Sequence, residues 1–233
     1  MPAFPRYAVY YAPEEDDPLW ALGSAWLGRD AASGAALPQP EVNGFSTAAL
    51  AALTGDPRRY GLHATLKAPF HLAEGCGEAD FLAAAEGFAA AEAPFDLPGL
   101  AVGRLGNFLA LLPTEPCLAL HEMAERCVRG LDGFRAPPTA AELERRRAEA
   151  LSPRERDHLR AWGYPYVLDS YRFHITLTDS IADAGLRGDL FDAARAFFGS
   201  ACARAVPVRG ICVFAQAAAG APFMLIQRLN FKA

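Results

Sequence analysis

The sequence predicts an α+β fold, on three observations. Short runs of aromatic and β-branched residues alternate with longer runs whose apolar residues recur at helical spacing. The order motif strand, helix, β-hairpin occurs twice, which suggests an internal duplication. At 233 residues, with 52% hydrophobic and 21% charged residues and a formal net charge of −5, the chain has an ordinary globular composition and the length to bury a substantial core.

Taken in order, Arg6 to Tyr11 is aromatic and β-branched and stops at Pro13, so it reads as the first strand. Asp17-Pro18 reads as an N-cap followed by a proline in the first turn of a helix that carries Leu19, Leu22 and Trp26 and closes at Gly28. The Gly-, Pro- and Ala-rich run from Arg29 to Phe45 reads as a long surface connection. Ser46 caps a short helix over Ala48 to Leu53, which Gly55 and Asp56-Pro57 close.

A strand from Tyr60 to about Pro69 follows, then a helix from Glu78 to Ala91 with Phe81, Leu82, Ala85 and Phe88 on one face. Strands over Phe95 to Arg104 and Phe108 to Leu112 meet at a Gly106-Asn107 turn, and Leu118 to Leu131 is helical. The second half gives a strand from Tyr171 to Thr178, a helix from Leu190 to Phe198 capped by Asp189, and strands over Ala205 to Phe214 and Phe223 to Leu229. The repeats cover about 60–131 and 171–233. Between them, about 137–163, the capping-box patterns Thr139-Ala140-Ala141-Glu142 and Ser152-Pro153-Arg154-Glu155 start two short helices. These carry Arg145, Arg146, Arg147, Arg154, Arg156 and Arg160, a basic cluster in an acidic chain.

The chemistry concentrates in two short stretches, Leu62-His63-Ala64-Thr65-Leu66 and Phe173-His174-Ile175-Thr176-Leu177. Alternation on a strand puts each histidine and its threonine on one face. A lone His-x-Thr is more often structural than catalytic. Two copies with matching flanks, Tyr60 with Tyr171 and Leu66 with Leu177, and nearly equal offsets (174 − 63 = 111 for the histidines, 223 − 108 = 115 for the hairpin phenylalanines) favour function. Paired imidazoles suit proton transfer at a phosphoester: one neutral as base, one protonated as acid, both accessible near an ordinary pKa of about 6.5. Threonine hydroxyls beside them suit the non-bridging oxygens.

These paired motifs in a chain of this size resemble the two-histidine (2H) phosphoesterase superfamily. The stretches Arg59 to Phe70, Trp20 to Asp30, Trp162 to Tyr166 and Arg172-Phe173-His174 resemble its uncharacterised branch associated with bacterial phosphonate-utilisation operons. The resemblance implies a bilobal fold with two antiparallel sheets facing a central cleft, His63 and His174 as the acid-base pair, and Thr65 and Thr176 as phosphate-binding hydroxyls. It implies metal-independent hydrolysis of a small cyclic or linear phosphodiester, a nucleotide or a phosphonate-metabolism intermediate being the candidate substrates. The alternative within the fold is a non-catalytic binder of phospho-ligands or RNA ends.

Three further residues are candidate phosphate contacts. Lys67 and Arg172 share the His/Thr faces by alternation, and Tyr7 lies on the first strand with Val9 and Tyr11 while Tyr10 faces the other way. A rim position in solvent is the alternative for the first two, aromatic core packing for Tyr7. The arginines between the repeats are candidates for a basic lid, with a solvated helix face as the alternative. His71, His121 and His158 read as structural or surface residues.

No cofactor or metal is expected, because neither motif strand carries an acidic residue on the His/Thr face; Asp169 and Asp179 fall on the opposite face from His174. The acidic balance disfavours duplex nucleic-acid binding. No signal peptide or membrane span is read, and five cysteines without a Cys-x-x-Cys pair fit small buried hydrophobes in a cytoplasmic protein. No obligate protein partner is inferred.

Overall fold

The computed structural model of the chain describes residues 5–145 and 151–232. Strand β1 (Arg6–Tyr11) is followed by helices α1 (Pro18–Leu27), α2 (Thr47–Ala52) and α3 (Gly55–Tyr60), then β2 (Ala64–His71), α4 (Glu78–Ala90), β3 (Phe95–Leu97), β4 (Leu100–Leu105), β5 (Phe108–Pro113) and α5 (Leu118–Gly130). After α6 (Ala140–Arg145) and α7 (Pro153–Trp162) come β6 (Ile175–Thr176), α8 (Ala184–Cys202), β7 (Val206–Val208), β8 (Gly210–Gln216) and β9 (Met224–Asn230).

Local chemistry sets many of these limits. The Asp17 carboxylate accepts from Leu19 N at 2.8 Å to start α1, and Gly28, at φ 73°, ends it. Ser152 and Glu155 form a reciprocal capping box at α7. Two limits differ from expectation because distant or neighbouring carboxylates act. Residues 55–60 are helical rather than a closing turn, since Asp179 accepts from Gly55 N and Asp56 N at 2.9 and 2.8 Å from across the fold. The N-cap of α8 is Asp183, six residues before the expected Asp189, and its carboxylate accepts from Leu186 N. The Arg29–Phe45 connection is not merely superficial: Arg29 and Ala31 are buried, and Arg29 Nη2 donates to Phe223 O at 2.7 Å.

The α+β class is observed, with a large antiparallel sheet and a second small one. The arrangement is not two sheets facing each other: seven strands form one sheet in the order β4-β5-β6-β2-β1-β8-β9, and β3 pairs with β7 apart from it. The join is β6, whose Ile175 pairs with Leu111 of β5 on one side and Ala64 of β2 on the other. The first hairpin therefore lies beside the second motif, and the second hairpin reaches the first motif through β1.

One face of the sheet packs the main core. Tyr7, Val9 and Tyr11 join Phe81 of α4, Met123 of α5 and Phe198 of α8 there. The alternate residues Ala8, Tyr10 and Ala12 join a smaller cluster with Trp20, Phe214 and Phe223. Of the cysteines, Cys127, Cys202 and Cys212 are buried and none is bonded to another. Burial pushes the Cys127 and Cys212 thiols up to about 12. No helix among the described residues is long and apolar enough to cross a membrane.

Candidate functional site

Both histidines stand one residue before a strand rather than within it, and the strands they introduce are paired. Ala64 and Ile175 are antiparallel partners. Continued by one residue each way, that register sets His63 opposite Thr176 and Thr65 opposite His174. By that register each histidine position stands opposite the threonine position of the other motif, across a local twofold relation. The second strand spans only Ile175–Thr176, far shorter than the expected Tyr171 to Thr178.

The two rings are held in the same way. His63 Nδ1 lies 2.9 Å from Gly61 O, and His174 Nδ1 lies 2.8 Å from Arg172 O. A carbonyl only accepts, so each Nδ1 carries the hydrogen and each neutral ring presents an unprotonated Nε2. The carbonyl two residues upstream reaches the first ring because Gly61 adopts φ 79°, ψ 177°, a conformation essentially reserved for glycine. A Cβ at that position would lie 2.4 Å from Ala31 Cβ.

Burial lowers both imidazole pKa values. For His63 desolvation outweighs the Gly61 carbonyl, and the positive end of His174 adds a small push, giving a value of about 4. His174 is lowered by burial against the Arg172 carbonyl. The Tyr10 ring stacks on His63 with centroids 3.9 Å apart, and Tyr60 lies 6.0 Å from it. Phe108 flanks His174 at 5.9 Å.

A cleft of about 550 Å³ opens on His174 and Thr65, walled by Phe108, Tyr164, Tyr166 and Arg172. The structure therefore brings His174, Thr65 and Arg172 together in one cavity, with His63 and Thr176 next to them by register. Glu155, which also lines the cleft, is held below its ordinary range chiefly by the Ser152 amide and hydroxyl, with Arg172 contributing.

Two candidate contacts lie elsewhere. Lys67 was expected on the His/Thr face, but β2 bulges: Thr65 faces Tyr10 of β1 while Lys67, not Leu66, faces Val9. The extra residue turns Lys67 to the helix-covered face, where it is 3% exposed and its Nζ donates to Asp132 at 2.8 Å and Val128 O at 3.3 Å. Tyr7 also faces the main core; its hydroxyl donates to Glu78, and burial and that carboxylate raise its pKa. The tyrosine at the site is Tyr10, the residue that alternation had put on the other face. Sequence alternation separated the two faces of β1 but gave no means of telling which one met His63.

Around the cleft, Asp169 is a lining residue, contrary to its expected place on the opposite face. It follows Leu168, whose φ of 53° breaks the alternation. It pairs with Arg154 at 2.9 Å, and its other oxygen lies 3.1 Å from Nε2 of the buried His158. Arg160 pairs with Asp157, and Arg156 donates to Leu151 O. Arg146 and Arg147 lie outside the described residues. His121 packs edge-on against Tyr171. Among the described residues no group of three or more His, Cys, Asp or Glu side chains is placed to hold a metal ion.

An α+β chain with mirrored His and Thr pairs on one sheet is the class that fold and site define. The chain belongs to the family described as "Protein of unknown function (DUF1045)", whose model matches residues 65–224. It is 42% identical over 230 residues, 97% of its length, to the ribose 1,5-bisphosphate phosphokinase PhnN of Janthinobacterium sp. (strain Marseille). It is 42% identical over 220 residues, 94% of its length, to the protein of the same name from Laribacter hongkongensis (strain HLHK9). The chain spans about half of these relatives, 51% and 50% of their lengths. Their Phn name fits the expected association with phosphonate metabolism.

The same names correct the expected activity. The relatives are called phosphokinases, which transfer a phosphoryl group, and this overturns the expectation of a phosphodiester hydrolase without favouring the non-catalytic binder of RNA ends or phospho-ligands. The chain's lysines, Lys67 and Lys232, follow Leu66 and Phe231, so the matched half contains no Gly-x-x-x-x-Gly-Lys phosphate loop.

Proposed function

We propose that the chain is an enzyme acting on phosphate esters of a phosphorylated sugar, the class of compound after which its relatives are named, and that it shares the paired-histidine arrangement of the two-histidine superfamily. The observation that carries this reading is the matching posture of the two imidazoles. Each has Nδ1 tied to the carbonyl two residues upstream and Nε2 left for a ligand, and each histidine position stands opposite the other motif's threonine position.

The proposed roles follow from that posture. His63, held neutral by burial, takes the proton of the attacking hydroxyl at Nε2. His174 enters protonated in the presence of the anionic ester, whose charge favours the imidazolium, and gives its Nε2 proton to the departing oxygen. Thr65 and Thr176 donate to non-bridging phosphoryl oxygens, and Arg172 adds a positive charge at the rim. Tyr10, stacked on His63, fixes the plane of that ring.

The test is phosphorus NMR of ribose 1,5-bisphosphate incubated with the full chain, alone and with ATP and magnesium. Time-dependent change in the ester signals with wild type, lost in both His63→Ala and His174→Ala, is the expected result. Signals that stay constant with wild type in every arm overturn the reading.

A further inference from the structure

The sheet face that carries His63 also borders a second cavity of about 410 Å³, lined by Arg6, Tyr60, His71, Arg135 and Glu142 among others. We propose that this cavity binds the second, non-reacting phosphate of a bisphosphorylated sugar while the first lies between the histidines. The proposal rests on the functional reading above and adds the substrate feature that the second cavity would recognise.

Tyr60 lines the second cavity, and its ring lies 6.0 Å from that of His63. Consecutive residues at the end of α7 divide the two spaces, Gly163 lining one and Tyr164 the other. A row of contacts runs back from there: Tyr60 stacks on Phe223 at 5.1 Å, and the Arg6 guanidinium sits 5.5 Å over the Phe223 ring. Tyr60 and Arg6 thus line one cavity, and the same Tyr60 ring neighbours His63.

Arg6 donates through Nε and Nη2 to Gln216 Oε1 at 2.8 and 2.6 Å, a neutral partner, and no carboxylate among the described residues pairs with it. Arg135 binds Asp132 through Nε and Nη2 at 2.8 and 2.9 Å, yet the same carboxylate also receives buried Lys67 at 2.8 Å. Two cations share that one anion. Among the described lining residues the carboxylate is that of Glu142, 4.0 Å from His71. Among the described residues the cavity wall itself carries two guanidinium groups, Arg6 and Arg135, and arginine forks match phosphate oxygens.

Calorimetric titration of the full chain with ribose 1,5-bisphosphate and with ribose 5-phosphate tests the proposal. Wild type is expected to bind the bisphosphate at least about tenfold more tightly, the scale of one or two charge-assisted hydrogen bonds. Arg6→Gln and Arg135→Gln should each remove most of that preference. Glu142→Gln should increase it a few-fold, and keeps the test decisive if an arginine variant fails to fold. Equal binding of the two sugars by wild type, or a preference that survives in both folded arginine variants, overturns the proposal. Turnover without a bisphosphate preference sinks the subsite and leaves the functional reading standing. A preference without turnover of either sugar does the reverse.

Discussion

The two His-x-Thr motifs are close copies in sequence and unequal in surroundings. The first is the fixed side: His63 lies under Tyr10 and next to Tyr60, its supporting carbonyl comes from a glycine at φ 79°, and the strand it introduces runs for eight residues. The second is the open side: His174 faces a cleft, its supporting carbonyl belongs to Arg172, and its strand is two residues long. A duplicated motif can therefore supply matching reactive atoms while burial makes them different acids. The more enclosed imidazole is suited to base duty, and the one on the cleft wall to holding a proton once an anion arrives.

The sharpest way to break this comparison is to remove each ring. His63→Ala and His174→Ala should each lower the rate on a sugar phosphate by about a hundred- to ten-thousand-fold, the usual worth of a positioned acid or base. Single-turnover phosphorus NMR would check it. A variant of either histidine that retains the wild-type rate removes that residue from the proton path.

Gly61→Ala and Arg172→Ala probe the two supporting carbonyls. The first forces a Cβ to within 2.4 Å of Ala31 Cβ at a positive φ, so urea unfolding should show a loss of about 2–4 kcal/mol. At position 172 the same residue change should leave stability within about 0.5 kcal/mol, because the side chain is exposed. Equal losses at the two positions would contradict the proposed rigidity of the first motif.

Acid stability separates the rings next. The folded pKa of His63, about 4, lies below its unfolded value of about 6.5, so the unfolded chain binds the proton first and stability declines as pH falls from 6.5 towards 4. Replacing it with Gln should flatten that decline by on the order of 2–3 kcal/mol, read from urea midpoints at pH 7 and pH 4.5. An unchanged slope would mean that His63 is solvated in the folded chain.

The smallest effects compare the two basic residues that alternation treated alike. Arg172→Gln should reduce kcat/KM on a sugar phosphate by roughly tenfold with an unchanged melting temperature, one rim charge being worth about 1–2 kcal/mol to a phosphoryl group. Lys67→Met should do the opposite, leaving kcat/KM intact and lowering stability by about 1–3 kcal/mol, because Asp132 keeps Arg135 but loses its buried partner. Finding both effects in one variant would join the two regions that the β2 bulge separates.

What the sequence determined by itself was local. Period-two alternation marked His63, Thr65, His174 and Thr176, and Asp17, Ser46, Ser152, Gly28 and Gly163 marked helix ends, because strand faces and caps depend on residues a few positions apart. Its limits show in the same residues. Lys67 followed the rule of alternation and the fold broke that rule, because a bulge inserts one residue and reverses the faces beyond it. Asp179 looked like a residue on the wrong side of a strand and is the cap of a helix more than a hundred positions away in sequence. Tertiary structure alone decided that Tyr10 rather than Tyr7 meets the histidine, that β6 joins what would otherwise be two sheets, and that each histidine position stands opposite the other motif's threonine position. Those outcomes depend on strand order and register, which are set by the packing of both halves together and are written in no short stretch of the chain.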